Sequence, residues 1–388
     1  MSEQLTQEKT GIKINEDRCS GCAICTYVCP FEAVKRNAET GKTTLDVTKC
    51  QVCGICYSTC PAKAIDIEYY DVDALTEYLE QARQKNQSNE LVVMCKGSAP
   101  DFSRIEELFG VKDFIPLSVP CIGRIPEEVF MQVLSKGMEK INILACDEDY
   151  CRFESGSAVA KRKVIALNRL LEQLGYGKET ITFKQNSLKV KLDADLCIAC
   201  GNCVYYCPYN APKLDRGSVK IDLEECRGCG LCVAMCPAFA LELDNWEGQR
   251  ISGLVTRLAA EMTSSPKLLA FRCQWAAFPS LNGGAQNAYF IDLPCASRVD
   301  MQHILEAFQK GIDGVMVVAC SEEDCKQEKA STKAQRSVAR LTERLKQLGL
   351  QDRLYFCTVA PRYPERLEKE IAQFRQKIES TRAKESGI

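Results

Sequence analysis

Four stretches of the chain carry cysteines at one spacing: CSGCAICTYVCP from Cys19, CQVCGICYSTCP from Cys50, CIACGNCVYYCP from Cys197 and CRGCGLCVAMCP from Cys226. Each reads C-x2-C-x2-C-x3-C-P, four sulfurs within eleven residues. Thiolates are soft ligands, and this density calls for a soft, polyvalent partner. Three cysteines on a tight loop can each point at a different iron of a cubane, while the fourth faces a neighbouring cluster. That fourth cysteine is expected at the start of a short helix, with proline turning the chain away behind it. Glycines and small residues between the sulfurs let backbone N–H groups approach the sulfides. Zinc knuckles use four ligands in two pairs, which is a different pattern.

Eight more cysteines follow a second pattern. Apolar runs end at Cys95 (ELVVMC) and Cys273 (KLLAFRC), at Cys121 (IPLSVPC) and Cys295 (FIDLPC), and at Cys146 (INILAC) and Cys320 (VMVVAC). Cys151 and Cys325 follow at C-x4-C spacing, each expected to open a long amphipathic helix. Three strands would thus bring cysteines to their carboxyl ends, the edge where open α/β sheets bind ligands. A helix amino end, which favours thiolate, would bring the fourth. Four convergent thiolates point to one more metal centre per module; the alternatives are buried apolar cysteines or a zinc site. The segment IPEEVFMQVLSKG reads as an intervening helix, with Pro126 and Gly137 as its start and stop signals and Val129, Val133 and Leu134 as its apolar stripe.

Cys357, in LYFC, reads as a core thiol, and His303, the one histidine, as an ordinary helix residue. Arg124 and Arg298 each follow a cysteine by three positions. They read either as positive charges beside a reduced cluster or as surface salt-bridge partners.

The elements that must position these residues occur twice. Cysteines of the first half recur at offsets of 174 to 178 residues, and the text between them repeats: SKGMEKINILACDEDYC answers QKGIDGVMVVACSEEDC. This is the pattern of a tandem duplication, with a period too long for a solenoid. The expected organisation is a cysteine-dense module at 1–70, a helical linker at 71–90, an α/β module at 91–185, a second cysteine-dense module at 186–245, a linker at 246–266, a second α/β module at 267–360 and a charged helix at 361–388. That last helix reads as a solvated face or a partner-docking element.

Composition narrows the function. The 388 residues include 25 cysteines and carry a formal charge of −2. Such cysteine use, with a polar MSEQLTQEKT start and no membrane-length apolar run, points to a reducing, cytoplasmic location and no direct membrane insertion. A single histidine disfavours imidazole-based zinc or haem sites and leaves no Ser–His or Cys–His pairing. There is no dinucleotide fingerprint or phosphate loop; LNGGAQN, at 281–287, reads as a turn. A mildly acidic chain without a basic stripe does not read as nucleic-acid binding.

Each pair of C-x2-C-x2-C-x3-C-P motifs resembles a bacterial-type dicluster ferredoxin. By that family's crossing rule, Cys19, Cys22, Cys25 and Cys60 bind one 4Fe–4S cluster, and Cys50, Cys53, Cys56 and Cys29 the next. In the second half the sets are Cys197, Cys200, Cys203 with Cys236, and Cys226, Cys229, Cys232 with Cys207. The α/β modules, through FRCQW, LPCASRV, KGIDGVMVVACSEEDC and the basic helix ending KQLG, resemble the iron–sulfur delta subunit of methyl-viologen-reducing hydrogenase. That resemblance implies a 2Fe–2S cluster at Cys95, Cys121, Cys146 and Cys151, and another at Cys273, Cys295, Cys320 and Cys325. It also implies a bridge between a hydrogenase or formate dehydrogenase and a heterodisulfide-reductase-like complex, with a flavoprotein as a further partner, in an anaerobic organism. The chain departs from the family at Arg272 and Ala276, where extra cysteines are usual, at Lys96 after Cys95, and at Asp147 and Ser321, where a glycine–cysteine–histidine turn is usual.

The expected fold is therefore α+β dicluster ferredoxin modules alternating with small α/β open-sheet modules, in tandem duplication. The expected cofactors are four 4Fe–4S and two 2Fe–2S clusters, which would bring the loaded chain to a charge of about −14. The expected role is an electron-transfer subunit with no bond chemistry of its own. The alternatives are a self-contained iron–sulfur reductase and a redox-sensing or scaffold protein.

Overall fold

The structure, a computed structural model, describes residues 10–98, 102–278, 288–325, 327 and 330–385. The MSEQLTQEK start and the LNGGAQN segment lie outside the described residues. The chain forms two compact units: one reaches Ser187 and includes Phe278 and Pro361–Pro364, and the other is built from the remainder.

In the first unit, the cysteine-dense module pairs Ile12–Ile14 antiparallel with Ile65–Ile67 and Val34–Arg36 antiparallel with Thr43–Leu45. Alternation places these strands: Ile12, Ile65 and Ile67 turn inward, and Lys13 and Asp66 turn out. Two five-residue helices, Ile24–Val28 and Ile55–Thr59, lie against one another. In the second unit Val190–Leu192 pairs with Leu241–Leu243, and Pro212–Asp215 with Ser218–Ile221. The short helices there are Asn202–Tyr206 and Leu231–Ala234.

Each unit also holds a four-stranded parallel sheet. In the first, the spatial order is Ile115–Val119, Glu90–Cys95, Lys140–Ala145, Ile181–Gln185. In the second it is Tyr289–Leu293, Leu268–Cys273, Gly314–Cys320, Leu354–Val359. Parallel strands are covered on both faces and read as unbroken apolar runs, as VVMC and VMVVAC do. The strand that is first in the chain lies between the second and third, so strand order reverses beside it. Ligands bind in the crevice outside the carboxyl ends at such a reversal. Cys95 ends the first strand of one sheet and Cys273 that of the other; Cys146 and Cys320 stand at the ends of the adjacent third strands.

The helices cover the sheets. Val72–Lys85 is capped by Asp71, whose carboxylate accepts from the Ala74 N–H at 2.7 Å. Glu127–Ser135 buries Val129, Val133 and Leu134, the stripe read from the sequence. The terminal helix Glu365–Glu385 is not a solvated face. Leu367, Ile371, Phe374 and Ile378, at helical spacing, are buried, and Phe374 stacks on Tyr355 of the last strand at 5.3 Å. The many charges of the other face obscure this stripe in the sequence.

Candidate iron–sulfur sites

In the cysteine-dense modules the third cysteine of each motif, Cys25, Cys56, Cys203 and Cys232, lies in the first turn of a short helix. The fourth stands at the helix end, contrary to the sequence expectation of a helix start. Cys29, Cys60 and Cys207 are C-caps with extended backbone, and Cys236 follows the C-cap Met235. Each precedes a proline, whose ring disfavours helical dihedrals in the residue before it. Proline thus stops the helix on the cysteine. At the helix starts, Ala23, Gly54, Gly201 and Gly230 take positive φ, closing the loop tightly around its sulfurs.

The sulfurs are grouped across the motifs. Cys25 lies within electrostatic reach of Cys60 and Cys19. Cys50, Cys53 and Cys56 each lie within reach of Cys29. In the second unit Cys207 acts on both Cys229 and Cys232, as does Cys226. Cys197, Cys200, Cys203 and Cys236 line one small cavity with Gly201, Ala238 and Ala240. Cys22 and Cys200 are exposed, whereas Cys50, Cys53, Cys56, Cys226, Cys229 and Cys232 are buried. Cys19, Cys25 and Cys203 are buried too, so in each unit one group, the outward one, holds an exposed sulfur and the other, the inward one, holds none.

The inward thiols resist ionisation as they stand. Burial pushes Cys50 up to about 11, and Cys53 and Cys229 up to about 12. Cys56 and Cys232 are raised well above the usual thiol range, first by burial and then by their neighbours' charge. Cys19 moves the other way, because the Thr43 hydroxyl at 3.4 Å hydrogen-bonds its sulfur. A set of buried sulfurs that disfavour each other's charge can become thiolate only around cations. Backbone N–H groups supply part of what an anionic cluster needs: Val52 N–H donates to Cys50 Sγ, and Ala64 N–H to Cys60 Sγ, both at 3.4 Å. The donor set thus fits 4Fe–4S cages. Among the described residues no group of His, Cys, Asp or Glu side chains gathers tightly enough to hold a single metal ion. A cage asks instead for thiolates spread over its corners.

The α/β modules bring their cysteines together at the crevice. Cys95 and Cys146 stand 3.2 Å apart, sulfur to sulfur, and Cys273 and Cys320 stand 3.4 Å apart. Cys121 lies within electrostatic reach of Cys95 and Cys151, and Cys295 is hydrogen-bonded to Cys273. Cys325 packs on a buried cluster that holds Cys295, Cys229, Leu231 and Ala330. The helix expected to open at Cys151 begins at Gly156, and its counterpart begins at Ala330 rather than at Cys325. The amino end still serves Cys151: burial raises its thiol, and N–H groups of Ser157, Phe153 and Gly156 partly offset that.

The two kinds of site adjoin within each unit. Cys121 feels Cys53, and Cys295 feels Cys229. Ser58 Oγ donates to the Gly123 carbonyl at 2.7 Å, tying the second short helix to the turn after Cys121. Arg124 and Arg298 lie here, 0% and 1% exposed, so neither is a surface residue, although Arg298 does pair with the carboxylates of Asp300 and Glu242. Sequence spacing marks both arginines, but their burial depends on contacts that no local pattern reveals. His303 is buried near the start of helix Met301–Gln309, its Nε2 3.2 Å from the Gly248 carbonyl. Cys357 is buried in the last strand, away from these groups in sequence and raised to about 12 by burial. Arg272, at a departure from the family pattern, makes a two-point ion pair with Asp292 at 2.6 and 3.0 Å.

Comparison with known proteins gives two family matches. The family described as methyl-viologen-reducing hydrogenase, delta subunit, matches residues 92–193 and 268–381, together more than half of the chain. A 4Fe–4S dicluster domain matches residues 11–61 and 189–237. One component of the ferredoxin/F(420)H(2)-dependent CoB-CoM heterodisulfide reductase of Methanosarcina acetivorans is 31% identical over 272 residues, covering 68% of this chain and 31% of that protein. The iron-sulfur component of the F420-non-reducing hydrogenase vhu of Methanocaldococcus jannaschii is 33% identical over 92 residues, covering 22% of this chain and 69% of that protein. Its vhc counterpart in Methanococcus voltae is 32% identical over 97 residues, covering 22% of this chain and 65% of that protein. The chain spans about a third of the length of the heterodisulfide reductase relatives it matches. Among the described residues no helix is long and apolar enough to cross a membrane.

Proposed function

Because the chain belongs to the methyl-viologen-reducing hydrogenase delta-subunit family, we propose that it carries single electrons between redox subunits of a larger oxidoreductase complex. The observation that carries this reading is the succession of sulfur groups in each unit. An outward group approaches an inward one, Cys25 reaching Cys56 and Cys203 reaching Cys232. The inward group approaches the sheet-edge group, Cys53 reaching Cys121 and Cys229 reaching Cys295. Three stations in a row, the last two buried, are the arrangement of a conduit.

The outward stations are two 4Fe–4S clusters, held by Cys19, Cys22, Cys25 and Cys60 and by Cys197, Cys200, Cys203 and Cys236. The inward stations are two more, held by Cys50, Cys53, Cys56 and Cys29 and by Cys226, Cys229, Cys232 and Cys207. The sheet-edge stations are 2Fe–2S centres at Cys95, Cys121, Cys146 and Cys151 and at Cys273, Cys295, Cys320 and Cys325. Bound clusters supply one-electron chemistry; the chain supplies thiolates, amide hydrogen bonds and burial, which set potential. The equal strand order of the two sheets supports descent of the units from one duplicated half. The partners are a flavoprotein and a hydrogenase, formate dehydrogenase or heterodisulfide-reductase-like protein.

The test is anaerobic purification of the chain with whatever accompanies it, with iron and sulfide counted per chain and spectra taken after dithionite. Paramagnetic signals of several clusters and co-purifying redox subunits are expected. Colourless material holding only zinc, with no signal on reduction, overturns the reading.

A further inference from the structure

Arg124 follows the sheet-edge cysteine Cys121 by three residues and lies across the loop of the inward motif. A Cβ on Gly54, between Cys53 and Cys56, would stand 2.8 Å from Arg124 Cβ and 3.2 Å from its Nε. The guanidinium donates through Nη2 to the Tyr69 carbonyl at 2.5 Å and lies over the rings of Tyr70 and Phe278, at 5.2 and 5.8 Å. Its Nε and Nη1 are buried and have no hydrogen-bond partner among the described residues. An arginine stays charged even when buried, so this environment demands an anion. The ionisable groups acting on it most strongly are Tyr70, Cys121, Cys53 and Tyr57, none of them a carboxylate. Negative charge on the sulfurs at either side is what it can neutralise.

Arg298 holds the equivalent place, since a Cβ on Gly230 would stand 2.7 Å from its Cδ. Its surroundings differ. Nε and Nη2 donate to the Trp246 carbonyl at 3.1 and 2.8 Å, and the carboxylates of Asp300 and Glu242 lie 3.5 and 3.8 Å from its nitrogens. Those carboxylates already balance much of its charge.

We propose that Arg124 is a positioning residue for electrons: its unbalanced charge raises the potential of the inward cluster of the first unit, making that cluster the station where an electron rests. Arg298 exerts the same pull more weakly, so the two units have unequal potentials. The step involved is uptake of one electron by a cluster from its donor, with no bond made or broken. This inference rests on the cluster reading given above.

The experiment is a redox titration of the loaded full chain, with dithionite as reductant and each cluster followed by its paramagnetic signal. Arg124→Met should lower the reduced-to-oxidised ratio of one 4Fe–4S signal about tenfold at fixed potential, a shift of about 59 mV for one electron. Arg124→Lys should restore most of it, and Arg298→Met should shift its signal less. Asp300→Asn, which unmasks Arg298, should raise the potential in the second unit, and it decides the matter alone if Arg124→Met does not load. Unmoved potentials, equal shifts in Arg124→Met and Arg124→Lys, or no rise in Asp300→Asn overturn the proposal. A wild-type chain with no signals at all would instead overturn the cluster reading.

Discussion

Gly156 and Cys121 are packed so closely that a Cβ on the glycine would overlap the cysteine sulfur, with Cys151 Sγ at 3.6 Å and Ile55 Cδ1 at 3.7 Å. The first turn of the helix Gly156–Gln173 is therefore pressed against the sheet-edge sulfurs. Glycine is required here for close approach, since its backbone dihedrals are ordinary.

Gly156→Ala should displace Cys121 and empty the sheet-edge site of the first unit. Overpacking of this kind costs about 1–3 kcal/mol. Iron and sulfide analysis should show loss of the share belonging to the proposed sheet-edge centre, with the 4Fe–4S signals retained; full retention of every signal would count against a cluster at Cys121.

Single-ligand changes should report the crossing between motifs. Cys29→Ser should impair the buried cluster of Cys50, Cys53 and Cys56, and Cys60→Ser the outward cluster of Cys19, Cys22 and Cys25. Spectra showing the reverse assignment would refute the grouping.

Chelators should strip the clusters in order of exposure. Cys22 and Cys200 face solvent, whereas no cysteine of the inward groups is exposed, so the outward clusters should bleach first. Simultaneous loss, followed by absorbance and iron release, would contradict the outward–inward division.

Cys357 offers a pH test free of ligation. Its folded thiol is raised from the ordinary value of 9.0 to about 12 by burial, with the Glu370 charge adding to the effect. A raised thiol stabilises the fold fully below pH 9, and that contribution is lost as pH rises from about 9 to about 12. Alkylation at Cys357, followed by mass spectrometry on the loaded protein, should be far slower than at an exposed thiol and should still be rising about tenfold per pH unit at about pH 10. An exposed thiol would level off near pH 9, and a plateau there at Cys357 would contradict its burial.

The terminal helix should matter for stability. Phe374 is buried against Tyr355, and Phe374→Ala should cost about 3–5 kcal/mol. A thermal transition in the second unit unchanged by the substitution would contradict the packing.

Much of this architecture is legible in the sequence, because ligand spacing and strand patterning are local. The C-x2-C-x2-C-x3-C-P runs mark the sulfur loops, and apolar runs ending in cysteine mark the strands that meet at the crevice. What escapes is of two kinds. The place of Cys29 and Cys60 at helix ends depends on backbone dihedrals set by the following proline, whereas the cysteine spacing alone is compatible with either end of the helix. The burial of Arg124 against Gly54 joins residues far apart in the chain, and no periodicity announces it. The strand Ile181–Gln185 is short, half polar and at a sheet edge, so it lacks the apolar run that reveals its neighbours.

On the proposed ligand sets, Cys29 completes the group of Cys50 and Cys60 that of Cys19, which would make the two cages of a module hostages to one another during biogenesis. A maturation system that delivered one cage would leave a folding intermediate with its last corner undocked and its partner loop unfastened. Such interlacing would call for the cages to be supplied in pairs.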